Sequence, residues 1–439
     1  MEVSRSKRLY GRPLLTAIYL IVGLVVSGYV LRWDANAGIV WFLAMLVPLL
    51  GLLRWPNTPK LLLFGFAAMV IGKLIYAMSL DPLRGPDEKH YYEQVVAFQD
   101  LGSFMNFAWD NISANWANAS AYPVYGLLYM PFFKLMQLED PLVIVAFNCV
   151  LLLAVIQQTY RLCSDYFQYP LPDRTDTAFR GWIVFGLFVS PSFMFMSSLF
   201  AKDVACALLG IFGAILLLRR KYVWFVIVIL YATGLRDYAF VYTVGIYLLF
   251  KGHLKTALAM TAGSIGIVFL FTGVSGVVNS AMLTMYLFIS PNPINFGNWQ
   301  SETMARTAEA LLMCLSLLGA AVVYVKAPQT RRFYGICLLV LFTYACTLVL
   351  VGYVTIVTRE LDYGVGTIGD NMVRKKLPIL PLLYVFSVYT MTWLGKLTRP
   401  SVRSTSSVAR NDSRKEEIPC EEGTNSGRQK SFSVSSASS

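Results

Sequence analysis

The apolar residues of the chain come in long blocks rather than alternating with polar ones. Several blocks approach or reach the roughly 20 residues that a helix needs to cross the hydrocarbon core of a membrane. They lie at about 13–31, 37–53, 60–80, 141–160, 181–200 and 255–275. Lipid cannot satisfy backbone hydrogen-bonding groups, and the sequence lacks the alternation of a membrane barrel. The pattern therefore predicts an all-α polytopic membrane protein.

Composition supports this class and argues against a soluble protein. Apolar residues make up 56% of the 439 positions and charged residues only 14%, with a mean hydropathy of +0.56. A soluble domain carries about 25% charged residues. The net charge of +12 is therefore better explained by membrane topology and anionic lipid headgroups than by nucleic acid. We expect membrane lipids among the partners and no nucleic acid.

The positions of Lys and Arg predict the topology, because cytoplasmic loops carry an excess of both. Basic residues before the first block place the N-terminus in the cytoplasm. Later basic connections alternate correctly if the segment Tyr122–Met136 is re-entrant or interfacial, which gives about 12 transmembrane helices and a cytoplasmic C-terminus. A thirteen-span solution stays open. Residues 1–398 would form the membrane domain, and the polar segment 399–439 a disordered cytoplasmic tail.

The longest predicted outer loop, residues 81–121, opens with a candidate acidic site. Pro86 suits the first position of a helix, so Asp87 and Glu88 would fall in its first turn, where the helix dipole favours carboxylates. At helical spacing Asp87 shares a face with His90 and Tyr91. We expect an amphipathic helix lying on the outer membrane surface. The alternative is that the two carboxylates only stabilise the start of the helix.

Two further charged pairs are predicted at the outer ends of later helices. Lys202-Asp203 follows a helix-breaking Ser-Pro-Ser segment, and Arg236-Asp237 separates two short apolar segments. Ionisable groups at membrane depth are costly and usually face a cavity or a partner. We expect both pairs to share a polar site with Asp87. Alternatively, the cations extend to the lipid headgroups beside a neighbouring acid.

The last outer loop, residues 358–376, contains Arg359 and ends in the cationic run Arg374-Lys375-Lys376. Three consecutive cations on the outer side depart from the usual cytoplasmic bias, and an anion such as a lipid phosphate would explain them. A wrong topology in this region is the alternative.

These features together resemble the GT-C superfamily of membrane glycosyltransferases. The resemblance rests on five short sequence features within roughly 80–240 and 355–390. They are Gly85-Pro86-Asp87-Glu88 followed by Tyr91, Tyr122-Pro123-Val124-Tyr125, Ser190-Pro191, Lys202-Asp203, and Arg374-Lys375-Lys376 before a Pro-containing last helix. The nearest families are those related to protein O-mannosyltransferases and aminoarabinose transferases, together with bacterial cell-surface polysaccharide transferases.

The resemblance implies a transferase, inverting and specific for a hexosyl or pentosyl group, in the bacterial inner membrane. It would move a sugar from a polyprenyl-phosphate donor to a glycan or lipid acceptor on the outer face. Asp87 is the candidate base, with Glu88 beside it, and Arg374, Lys375, Lys202 or Arg236 could stabilise the phosphate. A divalent metal ion could be recruited by Glu88 and Asp203, although the sequence gives no complete ligand set.

Two other functions stay open. A polysaccharide polymerase or ligase would use similar cations on lipid-pyrophosphate-linked glycans and depend less on a carboxylate in the first loop. A flippase for a lipid-linked sugar would place its charges near mid-membrane and show inverted repeats.

Overall fold

A computed structural model describes residues 3–32, 34–54, 60–79, 81–98, 100–114, 126–130, 140–172, 175–359 and 372–398. Over this part of the chain every regular element is a helix and no strand occurs. The elements are α1 (Val3–Val30), α2 (Ala35–Arg54), α3 (Lys60–Ser79), α4 (Pro86–Val96), α5 (Leu101–Ala114), α6 (Gly126–Met130), α7 (Leu142–Tyr166), α8 (Asp176–Val189), α9 (Pro191–Ser197), α10 (Asp203–Leu218), α11 (Tyr222–Leu235), α12 (Ala239–Lys251), α13 (Leu254–Ile289), α14 (Met304–Lys326), α15 (Arg331–Arg359), α16 (Val373–Lys376) and α17 (Leu380–Thr398).

Several helices are long and apolar enough to cross a membrane. Five described stretches qualify: Leu142–Tyr166, Leu254–Ile289, Met304–Lys326, Pro328–Val357 and Val373–Thr398. The bent pair α8–α9 would add a sixth. Five shorter apolar helical stretches lie at Ala17–Val30, Ala35–Val47, Asp203–Leu218, Tyr222–Leu235 and Ala239–Lys251. The fold class is therefore that of an α-helical membrane protein, while the count of 12 spans stays a prediction.

Parts of the predicted architecture lie outside the described residues. The tail 399–439 does so entirely, as do residues 360–371 of the last predicted loop and 115–121 of the first. Of the predicted re-entrant segment only the short helix α6 is described.

The break between α8 and α9 follows from Ser190 and Pro191. Proline fits the first turn of a helix because it needs no backbone donor there. Ser190 precedes α9 as its cap, and its hydroxyl accepts a hydrogen bond from the Phe193 backbone N–H at 3.3 Å. The two helices meet at an angle of 46°. The predicted helix break at this Ser-Pro pair is confirmed.

The helices around α10 bring distant polar residues to one end of the bundle, which we call the Asp203 end. Helices α10 and α11 form an antiparallel hairpin, so Asp203 at the start of one meets Arg236 after the end of the other. The basic connection Arg219–Lys221 consequently lies at the opposite end. The charges predicted on the outer side and those predicted in the cytoplasm thus lie at opposite ends of this hairpin.

A small apolar core holds α4 against the Asp203 end. Val95 of α4 is fully buried and belongs to one cluster with Phe104, Tyr129 and Phe200. Two hydrogen bonds fix the chain around it: the Phe200 N–H donates to Pro82 O at 3.0 Å, and the Tyr129 hydroxyl donates to Ala201 O at 3.1 Å. This packing sets the position of the first turn of α4 relative to α10.

Candidate functional site

Asp203 is the centre of a cluster of charged side chains. The residue opens α10 and its side chain is fully buried. One carboxylate oxygen accepts a hydrogen bond from Arg236 Nη2, and the other from Arg374 Nε at 3.1 Å. A buried carboxylate between two guanidinium groups is fixed by both. Asp203 therefore orients the two arginines rather than serving as a free acid or base.

The first turn of α4 supplies the remaining carboxylates. Gly85 caps the helix and Pro86 is its first residue, so Asp87 and Glu88 occupy the predicted positions. Arg374 Nη1 donates to Asp87 Oδ2 at 2.7 Å and lies 3.8 Å from Glu88 Oε1. The two side chains differ in exposure, at 57% for Asp87 and 7% for Glu88. Asp87 is thus the carboxylate that a substrate can reach.

The Glu88 side chain approaches Gly85 closely. A Cβ added there would lie 1.9 Å from Glu88 Oε2, well inside contact distance. The bare backbone lets the Glu88 side chain turn back over the start of α4. This local feature was not identified from the sequence.

The two arginines retain hydrogen-bond donors that no group in the described part of the chain uses. Arg374 Nη2 and Arg236 Nε are buried and have no acceptor in the described structure. Buried donors in proteins are almost always paired, so each unpaired one needs an explanation such as a missing ligand. An anion between the two guanidinium groups would accept from both. The cluster is therefore suited to bind a phosphate-like group.

Lys202 adds a third cation beside the cluster. Its side chain is 3% exposed, and Nζ lies 5.3 Å from the centre of the Tyr91 ring, over its face. Burial, and to a smaller extent the nearby Arg236 charge, lowers the pKa of Lys202 to about 8. Burial raises the pKa of the Tyr91 hydroxyl above its ordinary value of 10. Lys202 is thus a group beside the cluster whose charge changes just above neutral pH.

Four further residues were predicted to belong to the site. His90 is exposed, and its Nε2 lies 2.9 Å from the Gln94 amide nitrogen. Asp237 is half-buried between α11 and α12. Lys375 is half-buried on α16, and its backbone carbonyl accepts the Tyr344 hydroxyl at 2.5 Å. The Arg359 side chain lies outside the described residues. His90, Asp237 and Lys375 take no part in the ion pairs described above.

The described residues contain no group of three or more His, Cys, Asp or Glu side chains placed to hold a metal ion. Arg374 lies among the acidic groups of the cluster. We therefore assign no chemical step to a metal.

A second polar group at the Asp203 end was not identified from the sequence. Glu309 of α14 is buried, and its carboxylate accepts hydrogen bonds from the Ser190 hydroxyl at 2.5 Å and the Tyr384 hydroxyl at 2.6 Å. The Ser192 backbone N–H at 3.2 Å and the Ser192 hydroxyl also donate to it. One sequence feature could have identified this group: Arg306 and Glu309 are two charged residues, three positions apart, at the start of an apolar span.

No protein family model, curated protein or solved structure matches this chain.

Proposed function

We propose that the protein is a GT-C-type membrane glycosyltransferase, which moves a sugar from a polyprenyl-phosphate donor to a cell-surface glycan or lipid acceptor on the outer face of the bacterial inner membrane. One observation carries the proposal. An exposed carboxylate, Asp87, lies 2.7 Å from Arg374, whose unused donor is buried. A base beside a site for a phosphate is what this transfer requires.

The residues of the cluster take distinct roles in this proposal. Asp87 accepts the proton of the acceptor hydroxyl as that oxygen attacks the anomeric carbon of the sugar. The bond from the sugar to the phosphate oxygen breaks, and the polyprenyl phosphate leaves. A single displacement of this kind inverts the anomeric centre. Arg374 and Arg236 stabilise the charge that develops on the leaving phosphate, and Asp203 holds both in position.

Because Arg374 is bound to Asp87, donor binding to Arg374 would also make the Asp87 carboxylate available as a base. In the described structure one guanidinium nitrogen of Arg374 is hydrogen-bonded to the Asp87 carboxylate. A donor phosphate competes for the same guanidinium group, and this competition would release the carboxylate to accept a proton. The order of binding would then be donor first and acceptor second.

The proposal is tested by a transfer assay in membranes containing the protein. Membranes with and without it are incubated with radiolabelled polyprenyl-phosphate sugars, and label is followed in the lipid and polymer fractions. Loss of label from the donor into an acceptor, only with the protein present, is the expected result. Label that stays on lengthened lipid-linked oligosaccharides would instead identify a polymerase. Intact donor moved across the bilayer would identify a flippase.

The charge of Lys202 is expected to limit transfer at alkaline pH. If its ammonium group helps to hold the donor phosphate, the transfer rate should fall as pH rises through about 8, where Lys202 loses its proton. In Lys202→Arg this fall should disappear, because arginine stays charged over the whole range. The measurement is a pH profile of transfer from pH 6 to about 10 for both proteins.

Loss of folding would not account for such a profile. The pKa of Lys202 is lowered in the folded protein from 10.5, so between about 8 and 10.5 the unfolded chain binds more protons. Stability from this group therefore rises with pH over that range. An identical alkaline fall in wild type and Lys202→Arg would remove Lys202 from the proposed site.

A further inference from the structure

A groove separate from the Asp87 cluster lies between α8, α14 and α17, with Pro191 of α9 at its edge. It encloses about 730 Å³ and is lined mainly by apolar side chains, among them Trp182, Phe185 and Leu312. Along α17 the lining runs from Tyr384 to Thr392, a distance of roughly 12 Å along the helix axis at 1.5 Å per residue. The groove is therefore long, apolar and parallel to the helices.

The groove opens on a surface suited to hydrocarbon. Trp182 and Leu312 are each about 60% exposed, and Met391 is exposed as well. Helices α14 and α17 are both apolar enough to cross a membrane. On such helices, exposed apolar side chains are stable only against lipid. A lipid chain can enter this groove sideways from the membrane.

Glu309, the charged residue that lines the groove, already has its partners. Its two carboxylate oxygens accept the four hydrogen bonds from Ser190, Ser192 and Tyr384. These bonds fasten α14 to the start of α9 and to α17. Glu309 therefore serves as a structural link and does not call for a cationic ligand.

Arg306, one turn nearer the start of α14, has no carboxylate hydrogen-bonded to it among the residues that the structure describes. It is 5% exposed, and its guanidinium carbon lies 3.9 Å from the centre of the Phe195 ring. Nη2 donates to the backbone carbonyl of Glu302 at 3.2 Å, and Nε is buried without an acceptor. The Glu302 carboxylate is instead paired with Arg84 at 2.7 Å. A buried guanidinium without a paired carboxylate calls for an anion.

Lys376 is a second buried basic residue close to Glu309 and Arg306. Its side chain is fully buried, and Nζ donates to the backbone carbonyl of Ser290 at 2.6 Å, which is neutral. Two basic side chains, Arg306 and Lys376, are thus buried in this region with one acidic side chain, Glu309. The excess favours an acidic headgroup over a zwitterionic one.

We propose that this groove binds a second lipid, distinct from the donor, whose chain lies between α8, α14 and α17 and whose acidic headgroup binds Arg306. Resting on the proposed function, this lipid is the acceptor. Arg306 lies on α14 between Ala305 and Glu309, both of which line the groove. The donor phosphate is bound separately, by Arg374.

Photocrosslinking tests the site without requiring turnover. Purified protein in phosphatidylcholine vesicles is irradiated with a diazirine-bearing phosphatidic acid, and the labelled peptides are identified by mass spectrometry. We expect label on α8, α14 or α17 beside the groove. A charge-assisted hydrogen bond is worth about 1.5–3 kcal/mol, so Arg306→Gln should reduce this label about tenfold or more. A matched diazirine-bearing phosphatidylcholine should label the groove correspondingly less.

Two further variants separate the groove from general effects on folding. Ala308→Trp fills the groove beside Glu309 and should abolish the label, whereas Leu318→Trp places the same side chain at an exposed position of α14 outside the groove and should not. Equal labelling by both lipids, or unchanged labelling in Ala308→Trp, would overturn the proposal.

Competition with unlabelled polyprenyl phosphate decides which lipid occupies the groove. No displacement is expected. Displacement would assign the groove to the donor and overturn the proposal for a second lipid, and its loss in Arg374→Gln would show that Arg374 holds the phosphate of that donor. A protein that binds phosphatidic acid here but shows no transfer would refute the proposed function while leaving this lipid site standing.

Discussion

Asparagine in place of Asp87 is expected to lower the rate of glycosyl transfer by about two to four orders of magnitude, the usual contribution of a positioned general base. Asparagine keeps the size of the side chain and can still accept a hydrogen bond from Arg374, but it cannot take up the acceptor proton. The expected loss is in kcat, while the KM for the donor should stay the same or fall, because neutral asparagine competes less with the donor phosphate for Arg374. Initial rates of transfer from a radiolabelled polyprenyl-phosphate sugar measure both.

Folding should survive this substitution, because Asp87 is largely exposed. Its side chain is 57% accessible, and ion pairs of this kind contribute about 0–1 kcal/mol. Glu93→Gln is the matched control, since it makes the same chemical change at an exposed position on the same helix. It should leave transfer unchanged. Near-wild-type transfer by Asp87→Asn would exclude Asp87 as the base and with it the mechanism proposed for this cluster.

The largest effect on stability is expected for Asp203→Asn. Asp203 is fully buried and accepts hydrogen bonds from both Arg236 and Arg374. Removing its charge leaves two guanidinium groups close together without the carboxylate that holds them. Breaking a buried ion pair by removing one partner costs about 3–5 kcal/mol. The thermal midpoint in detergent, followed by the fraction of protein that stays monodisperse, should fall clearly.

Glu302→Gln provides the comparison for this second prediction. Glu302 pairs with Arg84 at 2.7 Å, but both side chains are more than half exposed. The expected cost is about 0–1 kcal/mol. Added phosphate should partly restore the thermal midpoint of Asp203→Asn, because an anion can occupy the space between the two arginines. Equal midpoints for the two variants would show that Asp203 does not hold the cluster together.

Local features of the site were predictable because neighbouring residues determine them. Pro86 and the two carboxylates after it correctly predicted where α4 starts and which residues form its first turn. Ser190 and Pro191 correctly gave the break before α9. Each feature depends on backbone conformation and on hydrogen bonds within one helical turn. No information from distant parts of the chain is needed for them.

The pairing of the charges was less predictable. The sequence predicted that Asp203 and Arg236 share a polar site with Asp87, and the structure brings these three together around Arg374. It did not indicate that Asp203 lies at the centre or that Arg374 joins two carboxylates. Arg374 is 171 residues from one of its partners and 287 from the other. Contacts over such separations depend on how the helices between them pack.

By itself, the sequence determined the helical membrane class and the residue types available at each helix end. Inside a membrane, the backbone of a long apolar block can form hydrogen bonds only within the protein, which favours a helix. This physical constraint acts on each segment separately. The tertiary structure decided which carboxylate is buried and which is exposed, and it alone revealed Arg306 and Glu309 beside the apolar groove. Burial and hydrogen bonding at these positions depend on α8, α9, α14 and α17 packing together, and no single segment specifies that arrangement.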